Sequence, residues 1–119
     1  MKKQKMFGIL MASIFVFTFC LAMIAQDAVK IDPTQLFKYK RCIACHSVDS
    51  AGIASTNPNH KGPDLSSIGT KNQADFLMKY LSKDESINDK KHGMKFNGTD
   101  DEFKALTDWL GSLKSAVSK

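Results

Sequence analysis

A chain of 119 residues with a formal charge of +5 has room for one domain and little room for a substrate pocket lined with acid and base residues. Part of that charge is local to the N-terminus. Without Lys2, Lys3 and Lys5 the 17 basic residues fall to 14 against 12 acidic ones, a net +2, which makes no case for nucleic-acid binding.

Those three lysines precede Met6 to Ala25, which is almost wholly apolar. A basic start followed by such a run reads as a secretory signal over residues 1–25, cleaved near Ala25, with an uncleaved membrane anchor as the alternative because the run approaches the span of a bilayer. Phe17-Thr18-Phe19 is not the small-residue context expected before a lipidated cysteine, so Cys20 reads as apolar filler. Export places the remaining domain, residues 26–119, in the periplasm, and removing the leader leaves only Cys42 and Cys45.

Asp32-Pro33 offers an N-cap followed by proline at the first helical position. Leu36, Phe37 and then Lys40 to Ile43 continue at helical spacing. This predicted helix delivers Cys42-Ile43-Ala44-Cys45-His46, the C-x-x-C-H pattern of covalent c-type haem attachment. Two thiols three residues apart on one turn can each add to one vinyl group of a haem, and His46 then presents its imidazole to the iron from the proximal side. A redox dithiol wants a βαβ pattern, and a zinc site wants a second ligand pair at similar spacing. Neither accompanies this motif. With both cysteines consumed by one haem c, no disulfide framework remains.

Ser47 to Lys61 is small and polar, with Gly52, Asn57, Pro58 and Asn59, and reads as a loop with several turns in which His60 is a solvent-exposed histidine, with a second axial ligand as the alternative. Asn72 to Ser82 carries Phe76, Leu77, Tyr80 and Leu81 on one helical face, and Lys83 to Lys91 is charged and turn-like. Thr99-Asp100-Asp101-Glu102 opens a last helix with a capping box. Phe103, Leu106, Leu110, Leu113 and Val117 then form one apolar stripe flanked by Trp109.

Taken together, Asp32 to Arg41 before the motif, Gly62-Pro63-Asp64-Leu65 and Leu106-Thr107-Asp108-Trp109-Leu110 resemble, in that order, the first helix, the G-P-x-L turn and the C-terminal aromatic helix of small bacterial class I cytochromes c. The resemblance covers about residue 30 to the end. It implies an all-α class I cytochrome c fold of about four helices around one covalent haem, with the first and last helices crossing. It also implies that Gly62 lets the backbone pass close to the haem and that the Pro63 carbonyl accepts the Nδ1 proton of His46. The sixth iron ligand comes, in that family, from the loop before the last helix, here His92-Gly93-Met94-Lys95-Phe96-Asn97-Gly98. Met94-x-Phe96-x-Gly98 fits the family arrangement and makes Met94 the favoured distal ligand, although Lys95 stands where a proline is common. His92 is the alternative.

The expected function is therefore outer-sphere electron transfer through an exposed haem edge, by a diffusing shuttle or by the electron-accepting subunit of an oxidoreductase, and not catalysis by the chain alone. Lys38, Lys40, Arg41, Lys61, Lys71, Lys90, Lys91 and Lys95 lie in segments able to ring that edge and steer an acidic redox partner. The competing class is a protein that binds nitric oxide or carbon monoxide at an open iron, and two ligand candidates in the distal loop count against it. So small a domain has little core of its own, and the chain without haem is expected to be largely unfolded.

Overall fold

A computed structural model describes residues 29–59 and 62–115. The chain divides between Lys30 and Ile31, and the elements that follow all lie in the unit that starts at Ile31. The leader, His60, Lys61 and Val117 lie outside the described residues. Among the described residues no helix is long and apolar enough to cross a membrane.

Helix α1 spans Pro33–Tyr39. Its start is chemically over-determined: Asp32 Oδ1 accepts from the Thr34 N–H at 2.9 Å, the Thr34 hydroxyl at 2.7 Å and the Gln35 N–H at 3.4 Å, while Pro33 occupies a position whose N–H has no helical partner. Leu36 and Phe37 are its buried residues. The helical spacing that runs on to Ile43 is not used as a continuous helix. Arg41 takes φ +63°, and the chain re-forms as a 3₁₀ turn at Cys42–Ala44, so the two cysteines leave the α1 axis at an angle.

Helix α2 (Ala74–Leu81) has no side-chain cap and buries Leu77, with the Phe76 and Tyr80 rings stacked one turn apart at 6.3 Å. Helix α3 (Asp100–Ser112) carries the capping box complete, the Thr99 hydroxyl accepting from the Glu102 N–H and the Glu102 carboxylate accepting from the Thr99 N–H. The same carboxylate reaches Lys40, just past α1, at 2.9 Å. Thr99→Ala removes the cap and loosens that carboxylate; we expect a loss of about 1 kcal/mol, read as a lower denaturant midpoint.

Helix α3 packs on both α1 and α2. Phe37 meets Trp109 edge-on at 5.6 Å, and Leu106, Thr107 and Leu110 turn inward. Buried Thr107 donates its hydroxyl to the Phe103 carbonyl at 2.9 Å, which satisfies it without a tertiary partner. The C-terminal end of α3 sits on the 3₁₀ turn Ile68–Thr70, where a Cβ at Gly69 would fall 2.1 Å from the Gly111 carbonyl oxygen. Only glycine allows that approach.

The stretch after the cysteines contributes to the core in a way its polar composition hides. Val48 and Ile53, exchanging main-chain hydrogen bonds around a turn with Gly52 at φ +66°, are both buried with Leu36, Phe37, Leu77, Leu106 and Leu110. Three α-helices and almost no strand make the described unit all-α.

Candidate functional site

The 3₁₀ turn fixes the site from below. The Cys42 carbonyl accepts from the N–H groups of both Cys45 and His46, at 3.1 and 2.9 Å, which holds the two thiols and the imidazole on one tight turn. Cys42 is half-buried against the core and Cys45 is exposed, and both are free thiols. Burial pushes the Cys42 thiol up, which keeps it protonated at neutral pH. The following loop straps the turn down: the Ile43 carbonyl accepts from the Ser55 hydroxyl and the Thr56 N–H, at 2.9 and 2.8 Å.

His46 Nδ1 lies 2.8 Å from the Pro63 carbonyl oxygen. A carbonyl only accepts, so Nδ1 carries the proton and Nε2 keeps the lone pair a metal needs. The contact is close-packed: a Cβ on Gly62 would lie 2.3 Å from the Cys45 carbonyl oxygen and 2.6 Å from two atoms of the His46 ring.

Asp64 holds this strand of backbone in place. Its carboxylate accepts from the Asp49 N–H at 2.9 Å, the Ser66 hydroxyl and N–H at 2.9 and 3.2 Å, and the Ser47 hydroxyl at 3.3 Å. Partial desolvation raises its pKa, but these four donors outweigh it and leave the carboxyl below the usual range. A depressed carboxyl contributes stability above its unfolded value, near 3.8, and loses it as pH falls through the folded pKa. Asp64→Ala is therefore expected to cost about 1–3 kcal/mol at pH 7, and the gap to the native protein to be smaller at a pH below the unfolded value near 3.8. Parallel denaturation curves at the two pH values measure it. Sequence reading quoted Asp64 only as part of a turn; its spacing to Ser66 is the Asx-turn signal that marks a side chain hydrogen-bonding two residues on.

On the other side stands the loop between α2 and α3. His92 and His46 have ring centres 6.1 Å apart and planes within 16° of parallel. Tyr80 of α2 sets its ring edge-on to His92 at 5.4 Å, a partner that sequence reading assigned to helix packing. His92 Nδ1 is hydrogen-bonded to the Met94 carbonyl, while the Met94 side chain is 61% exposed. Lys83 Nζ donates to the Gly93 carbonyl at 3.1 Å, and the Phe96 N–H to the Leu81 carbonyl at 3.0 Å, tying the loop to the end of α2. Phe96 stacks on Phe103 at 4.4 Å and fixes the exit into α3.

The donor set discriminates between ligands. Among the described residues no group of three or more His, Cys, Asp or Glu side chains could hold a bare metal ion, which wants about four protein donors. One oriented imidazole beside two thiols on a single turn suits a macrocycle that brings its own ring nitrogens and is anchored through its rim. A model of the cytochrome c family matches residues 34–114, most of the chain.

The chain belongs to the cytochrome c family. The all-α unit and the order of attachment motif, Gly-Pro turn and terminal helix make it a class I c-type cytochrome, and the family's covalent haem c, one for a domain of this size, is its cofactor. No curated protein matches the chain, and no solved structure does. Cys42 and Cys45 are the residues of this cytochrome that would carry the thioethers, and His46 would supply the proximal nitrogen. Of the basic residues named in the sequence, Lys38, Arg41, Lys71, Lys90, Lys91 and Lys95 are exposed, whereas Lys40 is drawn to Glu102 and lies over the Tyr39 and Phe96 rings. Haem-based electron transfer between redox partners is what the family does.

Proposed function

We propose that this cytochrome is an exported, periplasmic one-electron carrier, either a shuttle or the electron-accepting subunit of an oxidoreductase, that meets its partners at an exposed haem edge. The observation that carries the reading is the unequal placement of the two attachment cysteines: Cys42 is held against the core while Cys45 opens to solvent. A group attached at both positions would have its Cys42 side against the core and its Cys45 rim within reach of another protein. When bound, haem supplies a one-electron couple that needs no ligand exchange.

The residues around it do the rest. Pro63 and Gly62 keep the His46 ring from turning, so the proximal geometry need not reorganise between oxidation states. Exposed Arg41, Lys90, Lys91 and Lys95 present positive charge from the segments flanking the site and would speed encounter with an acidic partner. Export is supported by the basic, apolar leader and by the cysteine count, since the mature chain keeps no thiol beyond those that attach haem.

The test uses the full chain matured with haem. Carbon monoxide added to the reduced protein is expected to leave its spectrum unchanged, and electron exchange with an acidic redox protein is expected to slow as ionic strength rises. Prompt carbon monoxide binding would transfer the protein to the gas-binding class. Cell fractionation of the same preparation should place the haem-bearing chain in the periplasm.

A further inference from the structure

We propose that His92, and not Met94, is the distal ligand of the haem iron, so that the site is bis-histidine and Met94 contributes its main-chain carbonyl instead of its sulfur. The inference deepens the electron-carrier reading and rests on it.

Three observations converge. The first is spacing. One metal atom shared by two imidazoles needs two bonds of about 2 Å, and roughly 1 Å more from each nitrogen to its ring centre, which brings the centres to about 6 Å; His46 and His92 stand at 6.1 Å with nearly parallel planes.

The second is the tautomer. Each ring has its Nδ1 tied to a main-chain carbonyl, His46 to Pro63 and His92 to Met94. In both cases the carbonyl can only accept, so the proton sits on Nδ1 and the lone pair on Nε2. The same bond makes Nε2 a better donor, as a carbonyl or carboxylate does behind metal-bound histidines generally. A solvent-exposed loop histidine has no reason to reproduce the arrangement of the proximal one.

The third is the loop's own restraint. Tyr80 blocks rotation of the His92 ring, Lys83 holds the Gly93 carbonyl, and Phe96 is fixed to Leu81. Met94 takes part in this restraint through its carbonyl, which holds His92 Nδ1. A second imidazole in place of a thioether favours ferric iron and lowers the reduction potential.

The experiment is near-infrared magnetic circular dichroism and electron paramagnetic resonance of the ferric, haem-loaded full chain, with His92→Ala, His92→Met and Met94→Leu. The native protein is expected to be low-spin without a sulfur-to-iron charge-transfer band, and Met94→Leu to leave both spectra unchanged. His92→Ala is expected to lose the low-spin signal and regain it on addition of free imidazole, and His92→Met to raise the potential. If His92→Ala does not retain haem, the native spectrum decides alone. A sulfur-to-iron band in the native protein that vanishes in Met94→Leu would overturn the assignment while leaving the carrier reading intact. A high-spin native protein would overturn the assignment too, and carbon monoxide binding would then overturn the carrier reading as well.

Discussion

Gly62→Ala is expected to yield a chain that acquires little correctly ligated haem and melts well below the native protein. The added methyl would sit 2.3 Å from the Cys45 carbonyl oxygen and 2.6 Å from the His46 ring, and neither neighbour has an easy retreat. The Cys45 carbonyl belongs to the turn that carries both thiols, and the ring is held by Pro63 at 2.8 Å. Relief requires moving the ring and breaking that bond. Overpacking of this kind costs about 1–3 kcal/mol, and the broken hydrogen bond about 1 kcal/mol more. The control is Gly93→Ala in the distal loop, where nothing lies within 4 Å of the new Cβ; it should change stability by no more than about 0.5 kcal/mol. Haem content per chain and the thermal midpoint of both variants measure the contrast. Equal behaviour of the two would show that the close approach at Gly62 does not matter.

Phe37→Ala is the largest stability loss expected from any single side chain. Phe37 is 1% exposed at the α1–α3 contact, with Trp109 edge-on and Leu106 among the same buried cluster. Truncating a buried phenylalanine costs about 3–5 kcal/mol, and the aromatic pair adds roughly 0.5–1.5 kcal/mol. Native domains have only about 5–15 kcal/mol in total, and small ones lie at the low end, so the variant should be partly unfolded at ambient temperature. Tyr39→Ala, two residues on in the same helix but 78% exposed, is expected to be almost neutral. Denaturant titrations of the haem-loaded proteins decide between these values. The dependence on one side chain follows from the size of the core, seven buried apolar residues among those described, which is also why haem contributes heavily to the buried surface and why its removal is expected to unfold the domain.

Local chemistry was readable where it was strong. Asp32-Pro33 and Thr99-x-x-Glu102 specify helix starts through hydrogen bonds made within three residues, and both caps form at those positions. The part of the apolar stripe that lies in α3, Phe103, Leu106 and Leu110, needed no tertiary information either; the helix stops at Ser112, before Leu113, and Val117 lies outside the described residues. Where distant residues decide, the sequence was less informative. Lys40 to Ile43 has helical spacing, yet the chain breaks at Arg41 to turn the cysteines off the α1 axis. Val48 and Ile53 lie in a stretch dominated by Ser, Asn and Gly, and their burial depends on a turn folding back onto α1 and α3.

The distal loop is the sharpest case. Composition placed His92 and Met94 two residues apart and could rank them only by resemblance. Which one stands beside His46 depends on Tyr80 and Leu81 of α2 and on Lys83 just past its end, which fix how the loop is hung. Likewise Asp64 is one acid among twelve until the backbone brings Ser47, Asp49 and Ser66 around it.

In the proposed function, Cys42, Cys45 and His46 hold one haem in a domain built to pass single electrons. A spectroscopically monitored potentiometric titration of the full, haem-loaded chain tests it most directly. One reversible wave is expected, fitted by a single one-electron couple and superimposable in the oxidative and reductive directions. A chain purified from a host competent in haem attachment that carries no covalent haem, or one whose titration is irreversible or fits no one-electron couple, would contradict it.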